Sequence, residues 1–256
     1  ITNRRLYASG VDPKWEDFVY VTGTLPGKTW DLGYTDVRLA HQGDAVYQGE
    51  VELQAGDSGW GEFLVVASIQ GAEDARYAAP EHGTRVRHGE TVSAQRYFGG
   101  NAFYVSPGYY WITFDANEQT IRLADRTLAR LLENMGEEWS GLDCSFLQDI
   151  ADNEAATADE VEWGKAYASL AEKVFATRRY LAEHTDFAGP ARTLLEEYLQ
   201  DDYAPGENGY PNGSFLHIWE QHTLDTETLL AEMAYVDQLL EAATKGGLQE
   251  GTALTA

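Results

Sequence analysis

Four residues in the first half of the chain combine a recognition-competent type with an exposed setting. Trp30, Trp60 and Tyr77 lie in or beside turn-rich stretches. A large ring placed there can be uncovered and can stack on a flat apolar ligand surface. Asn101 follows Gly99-Gly100, and glycines let a backbone approach a ligand while a neighbouring amide takes its polar groups. The competing role for Trp30 and Trp60 is to plug the ends of the fold. Trp111 is a different case, since it sits inside a strand-like run. Alternation turns it away from the face shared by Tyr110, Ile112 and Phe114, so its indole is expected outward. There it serves either as a ligand platform or as a contact for the second half of the chain, and the helical region beginning soon after it favours the contact.

Catalytic and metal chemistry find no comparable support. Carboxylates are abundant, but glycoside hydrolysis needs two at a defined separation in a cleft, and no sequence context singles out a pair. His217 and His222 are off the one-turn spacing that two ligands on one helix face require. Asp115-Ala116-Asn117-Glu118 starts like a calcium loop but lacks the later glycine and glutamate, so it reads as a hairpin turn. Cys144 is the sole cysteine, which excludes an internal disulfide and a multi-cysteine zinc site. It is expected buried on a helix and unreactive. Ser, His and Asp form no nucleophile-elbow pattern, and Asn212-Gly213-Ser214 matches a glycosylation sequon that short triplets produce by chance. No enzyme activity, metal or cofactor is expected.

Composition sets the outer limits. The 256 residues are 43 % hydrophobic and 12 % aromatic, enough for packed cores in one large or two ordinary domains. Against 18 basic residues stand 42 acidic ones, a formal charge of -24. Nucleic acids and anionic membranes both demand clustered Lys and Arg, so neither is an expected partner. No run of about 18 apolar residues occurs, so no transmembrane segment is expected. The chain begins at Ile1 with neither methionine nor signal peptide, so it is expected to be a processed or trimmed product, and any export signal or lipid anchor would lie outside it.

The elements that must position these residues fall into two kinds. Before residue 124 the pattern is strand-like. Phe18 to Gly23 is rich in β-branched and aromatic residues, Val37 to His41 and Ala45 to Leu53 flank a Gln42-Gly43-Asp44 turn, and Phe63 to Ile69 is a continuous apolar run. Thr91 to Phe98 follows. A Pro107-Gly108 turn then opens a hairpin of Tyr109–Asp115 with Thr120–Leu123. About seven or eight strands spaced roughly ten residues apart predict an Ig-like antiparallel β-sandwich. From Asp125 the period becomes helical. Leu128, Leu131, Leu132 and Met135 share a face, Ser140 starts a second helix, and Thr157 to Glu160 form a capping box ahead of the longest one. Pro190 starts another, Phe215 to His222 is short, and Leu229, Met233, Val236 and Leu240 define the last. The expected class is β + α multidomain, with a sandwich at 1–124 and an α-helical bundle at 125–256.

Tyr20-Val21-Thr22-Gly23, Trp30, Tyr47 to Leu53 closing at Gly56, Gly100-Asn101 and the Pro107 to Asp115 stretch occur in an order that resembles the repeated modules of SusE and SusF. Those are outer-membrane lipoproteins that bind starch without cleaving it. The resemblance covers residues ~17–124. It departs in the central strand, Glu62-Phe63-Leu64-Val65-Val66, which lacks the family's lysine, and in having a single module. The helical half is similar to the small FIVAR domains of bacterial surface proteins in its helix lengths and its Trp163 to Leu181 stripe. The resemblance implies non-catalytic binding of a polysaccharide, an α-glucan, at the bacterial cell surface or outside the cell, with Trp30, Trp60, Tyr77 and Asn101 as ligand-binding residues. The alternative is a structural subunit or adhesin in which both domains contact other cell-surface proteins. A third reading is a helper pair cut from a larger polysaccharide-degrading enzyme.

Overall fold

The computed structural model describes residues 18–31, 36–67, 76–96, 101–136, 139, 141–185, 189–199 and 214–245. Among the described residues eleven strands precede six helices. The strands are β1 (Phe18–Leu25), β2 (Lys28–Thr29), β3 (Arg38–Gly43), β4 (Val46–Leu53), β5 (Gly61–Val66), β6 (Arg76–Ala78), β7 (Thr91–Ser93), β8 (Gln95–Arg96), β9 (Phe103–Val105), β10 (Gly108–Asp115) and β11 (Thr120–Asp125). The helices are α1 (Thr127–Glu133), α2 (Ser145–Asp152), α3 (Ala158–Glu183), α4 (Pro190–Tyr198), α5 (Phe215–Gln221) and α6 (Thr226–Lys245). Two compact units divide the chain: Ile1–Glu133 with Ala151–Val161, and Asn134–Ile150 with Glu162–Ala256.

In the first unit every strand pair is antiparallel, and the order is β7-β11-β10-β4-β3-β1-β5-β6-β8, with β2 added to β1 and β9 to β5. The expected sandwich has two separate sheets. The observed strands instead form one connected path. The reason is that β3 pairs with both β4 and β1, and Ala94 then links the two ends of the path through the chain. β7 and β8 stand at opposite ends of that path, yet only this residue separates them in the chain. The stretch from Thr91 to Arg96 pairs with β11 through its first half and with β6 through its second. A strand that changes partners midway turns the corner between two sheet directions.

The core lies inside this turn. Alternation along β10 puts Tyr110, Ile112 and Phe114 inward, and β4 contributes Tyr47, Val51 and Leu53 to the same cluster. Phe114 ties the interior together. Its ring lies 4.8 Å from that of Tyr77 on β6, although β4, β3, β1 and β5 separate the two strands in the path, and 6.3 Å from Tyr47. Phe63 and Phe103, paired across β5 and β9, add a ring contact at 5.3 Å.

α1 stays with the sheet. Asp125 Oδ1 accepts the Thr127 N–H at 2.8 Å, a side-chain cap on the helix start, and the Thr127 hydroxyl accepts the Tyr109 N–H at 3.0 Å. One turn on, Arg130 grips Glu50 of β4 through Nε at 2.8 Å and Nη2 at 2.6 Å. The period changes at residue 125, but these bonds anchor the first helical turn to β4 and β10.

In the second unit α2, α3 and α5 meet through aromatic rings, and α4 meets α6 through Tyr198 and Tyr235. Phe146, Trp163, Tyr167 and Trp219 stack edge to face at 4.8–6.1 Å, the arrangement ring quadrupoles prefer. Their polar edges are satisfied: Trp163 Nε1 donates to the Leu224 carbonyl at 2.8 Å and Trp219 Nε1 to the Asp143 carbonyl at 3.0 Å. Cys144 sits just before α2 rather than on it and is half-buried, with its thiol pushed up by burial and then by Asp143. The last helix buries Leu229, Val236 and Leu239, so Leu239 takes the place expected of Leu240.

Helix starts are held by carboxylates. Asp143 accepts from the Ser145 N–H at 3.0 Å and Asp225 from the Thr228 N–H at 2.7 Å. Thr157 and Glu160 exchange bonds at 2.7 and 3.2 Å in the expected capping box. Bonds from Ser145, Thr157 and Thr228 hold these three carboxyls below their ordinary range. A carboxyl depressed in the folded state stabilises above its unfolded pKa, and that contribution is lost as pH falls through the folded value. Helical ellipticity is therefore expected to hold above about pH 4.5, the ordinary glutamate value, and to decline below it. The triple variant Asp143→Asn, Glu160→Gln, Asp225→Asn should show a flatter acid limb in a circular dichroism titration. An unchanged limb would mean that the caps do not govern acid loss.

Candidate functional site

One end of the sheet unit gathers the polar and aromatic groups that could bind a ligand, and the C-terminal end of β1 organises it. Pro26-Gly27 turns the chain from β1 into β2, with Gly27 at φ 68, the positive value a type II turn requires at its third residue. Trp30 follows in the left-handed region at φ 55, a conformation a bulky residue seldom holds. Its N–H donates to the Gly23 carbonyl at 2.8 Å, and the side chain is 39 % exposed. Backbone in so uncommon a state persists only where the surrounding structure enforces it, as at Asp44, Ala45, Gln119 and His222.

Trp60 ends the turn between β4 and β5. The Gly56 N–H donates to the Trp60 carbonyl at 2.8 Å, and the Trp60 N–H to the Ser58 hydroxyl at 3.3 Å. This turn too is tied to β1: the Glu62 N–H donates to the Thr24 hydroxyl at 2.9 Å and the Gln54 N–H to the Thr24 carbonyl at 2.8 Å. Trp30 is thus fixed to Gly23 and the Trp60 turn to Thr24, the next residue. The two indoles share one end of the unit.

Charged and polar side chains surround Trp60. The Arg85 guanidinium lies over the indole of the half-buried Trp60, 4.2 Å from the ring centroid, a cation–π arrangement. Arg85 is held there by a bridge to Tyr104, which pairs in turn with Glu62 across β9 and β5. The His82 ring meets Tyr104 edge-on at 5.9 Å, and the Ser58 hydroxyl donates to Glu62 Oε1 at 2.5 Å. Burial, and then the Glu62 carboxylate, push the Tyr104 phenol upward, so it stays protonated and able to donate near neutral pH. An indole face beside a guanidinium, a carboxylate and a phenol can stack on one side of a ligand and bond its edge.

The other two sequence candidates lie elsewhere. Tyr77 is not beside a loop but within β6, 2 % exposed and packed on Phe114, so its ring belongs to the core. The cause is the β5–β6 pairing, which aligns Tyr77 with Val65 and turns it inward. Asn101 is half-buried, and its carbonyl accepts the Ala79 N–H at 3.1 Å. It precedes Phe103 by two residues, whereas Trp60 precedes Phe63, the antiparallel partner of Phe103, by three. About five strand positions, roughly 16 Å, therefore separate it from Trp60 along the sheet.

Glu62, His82, Arg85 and Tyr104 carry no mark of a site in the sequence. Alternation around Val86 marks Arg85 as outward, but which ring it covers depends on the pairing of β9 with β5, forty-odd positions apart in the chain. Among the described residues no group of three or more His, Cys, Asp or Glu could hold a metal ion, and no helix is long and apolar enough to cross a membrane.

No family model and no curated protein matches the chain. Among solved structures, one titled "Ligand induced structure of AmyP-SBD" is similar over 42 % of this chain and 71 % of that one, at 19 % identity and a TM-score of 0.31. A likeness of that degree carries no argument about fold or ligand.

Proposed function

We propose that the sheet unit binds a neutral polysaccharide without cleaving it, through Trp30 and Trp60 at the end of β1. The observation that carries this reading is the joint anchoring of the two indoles: Trp30, uncovered and in a left-handed conformation, hangs on Gly23, and the Trp60 turn hangs on Thr24. Indole faces stack on the apolar faces of pyranoses, while Arg85, Tyr104 and Glu62 take hydroxyls at the ring edge. An α-glucan at a bacterial cell surface is the ligand and setting implied by the SusE/SusF resemblance, and we adopt both as part of the proposal.

Retention in native gels containing soluble polysaccharide tests it. Stacking on a neutral ligand breaks no ion pair, so retention should scarcely change between low and high salt. Trp30→Ala and Trp60→Ala should each weaken binding by about 1–3 kcal/mol, by analogy with aromatic anchors in other recognition sites. Trp30→Ala should lower the melting temperature much less than a core truncation would, because that residue is exposed rather than part of the buried core. Plugging tryptophans would behave oppositely, losing stability with retention intact. That result on both variants would replace the glycan reading with the structural-subunit one.

A further inference from the structure

The outer face of the same sheet carries a second exposed indole. It belongs to Trp111, 42 % exposed. It is paired on both sides, opposite Glu50 of β4 and Ala124 of β11. The side chains two positions away along each strand point the same way. Gln48, Glu50 and Glu52 therefore flank one side of the row Thr113, Trp111, Tyr109, and Arg122 and Ala124 flank the other. Neighbours across strands are about 4.8 Å apart and those along a strand about 6.8 Å, so the indole has hydrogen-bonding groups within a short reach in several directions.

The details suit a sugar. Ala124 is too small to cover the indole from the β11 side. Gln48 Nε2 donates to the Thr113 hydroxyl at 3.1 Å, which leaves the Gln48 carbonyl as an acceptor and the Thr113 O–H as a donor. Arg122, in register with Thr113, is exposed. Glu50 is clamped by Arg130 at 2.6 and 2.8 Å, so the carboxylate beside the indole is oriented before any ligand arrives. The platform is rigid, because β10 is hydrogen-bonded along its length to two strands, and binding there orders little that is not already ordered.

A protein partner fits less well. Stable protein interfaces bury on the order of 1,200–2,000 Å² around a contiguous apolar centre. This face offers one large exposed apolar side chain within a polar surround. We propose that it is a second, separate binding site for an uncharged glycan chain, with Trp111 as the stacking platform and Gln48, Thr113 and Arg122 as its polar contacts. A long polysaccharide can then engage both sites of one unit, which raises retention without any new contact.

The full chain is run in native gels with amylopectin, galactomannan or xylan, as wild type, Trp111→Ala, Trp111→Phe and the double variant Trp30→Ala, Trp60→Ala. The expected result is at least a five-fold loss of retention for Trp111→Ala on a polysaccharide that retains the wild type. Trp111→Phe should be intermediate, melting temperatures should be unchanged, and the double variant Trp30→Ala, Trp60→Ala should keep a residual retention that is lost when Trp111→Ala is added to it. Full retention of Trp111→Ala beside complete loss in the Trp30→Ala, Trp60→Ala double variant would overturn this second site and leave the first. A change in oligomeric state of Trp111→Ala with full retention would assign the face to a protein contact and overturn the glycan assignment. No retention of the wild type on any of the three would overturn both sites.

Discussion

Phe114→Ala is expected to destabilise the sheet unit by about 3–5 kcal/mol, the range for truncating a buried phenylalanine. The ring is fully buried and is where the two ends of the strand path meet, packed on Tyr77 and Tyr47. Collapse of the surroundings cannot fill the space, because the neighbouring rings sit on hydrogen-bonded strands that hold their backbone in place. The melting transition of the unit should fall by on the order of 10 °C. Phe114→Leu, which keeps more of the volume, should fall much less. A loss under a few degrees for the alanine variant would mean that Phe114 does not join the two ends.

Gly23→Ala is expected to damage stability and binding together. A Cβ on Gly23 would lie 1.9 Å from the Glu62 carbonyl oxygen and 2.7 Å from the Phe63 Cα, both main chain of the paired strand. No rotamer can relieve that contact, so β1 and β5 must separate locally. Overpacking of this kind typically costs about 1–3 kcal/mol and occasionally more. The same displacement moves the Gly23 carbonyl that holds Trp30 and the Thr24 hydroxyl that holds Glu62. The variant should therefore melt lower and be retained less on polysaccharide, whereas Trp30→Ala should lose retention with much less loss of stability. Retention at the wild-type level in Gly23→Ala, despite a lower melting point, would show that the end of β1 does not set the site.

The hairpin of β10 and β11 was fully legible. Strict alternation from Tyr110 to Phe114 declares the inward face, and Asp115 closes the turn by accepting the N–H groups of Asn117 and Glu118, both at 2.9 Å. The capping box at Thr157 and the Pro190 helix start were legible for the same reason: their chemistry is local. Ala94 was not, because a single small residue inside an extended run does not announce that the strand changes partners there. The site divides the same way. Trp30 and Trp60 announce themselves by size and by the turns beside them. Arg85 and Tyr104 acquire meaning only through β9 lying on β5, and Tyr77 turns inward only through β6 lying on the same strand. Non-local pairing is set by which hydrophobic faces can be buried together, a property of the whole unit.

The partner change at Ala94 also bears on how the protein behaves when crowded. A sheet normally ends in two rows of unpaired amides that invite pairing with another molecule. Here both ends fall on one six-residue stretch, as segments of three and two residues that are each paired on one side. Such short ends give an incoming strand little to template on, and a formal charge of -24 keeps copies apart. Backbone nicking between Ser93 and Gln95 would release both ends at once. It would free each short end, already open on its outer side, to move with its own partner strand.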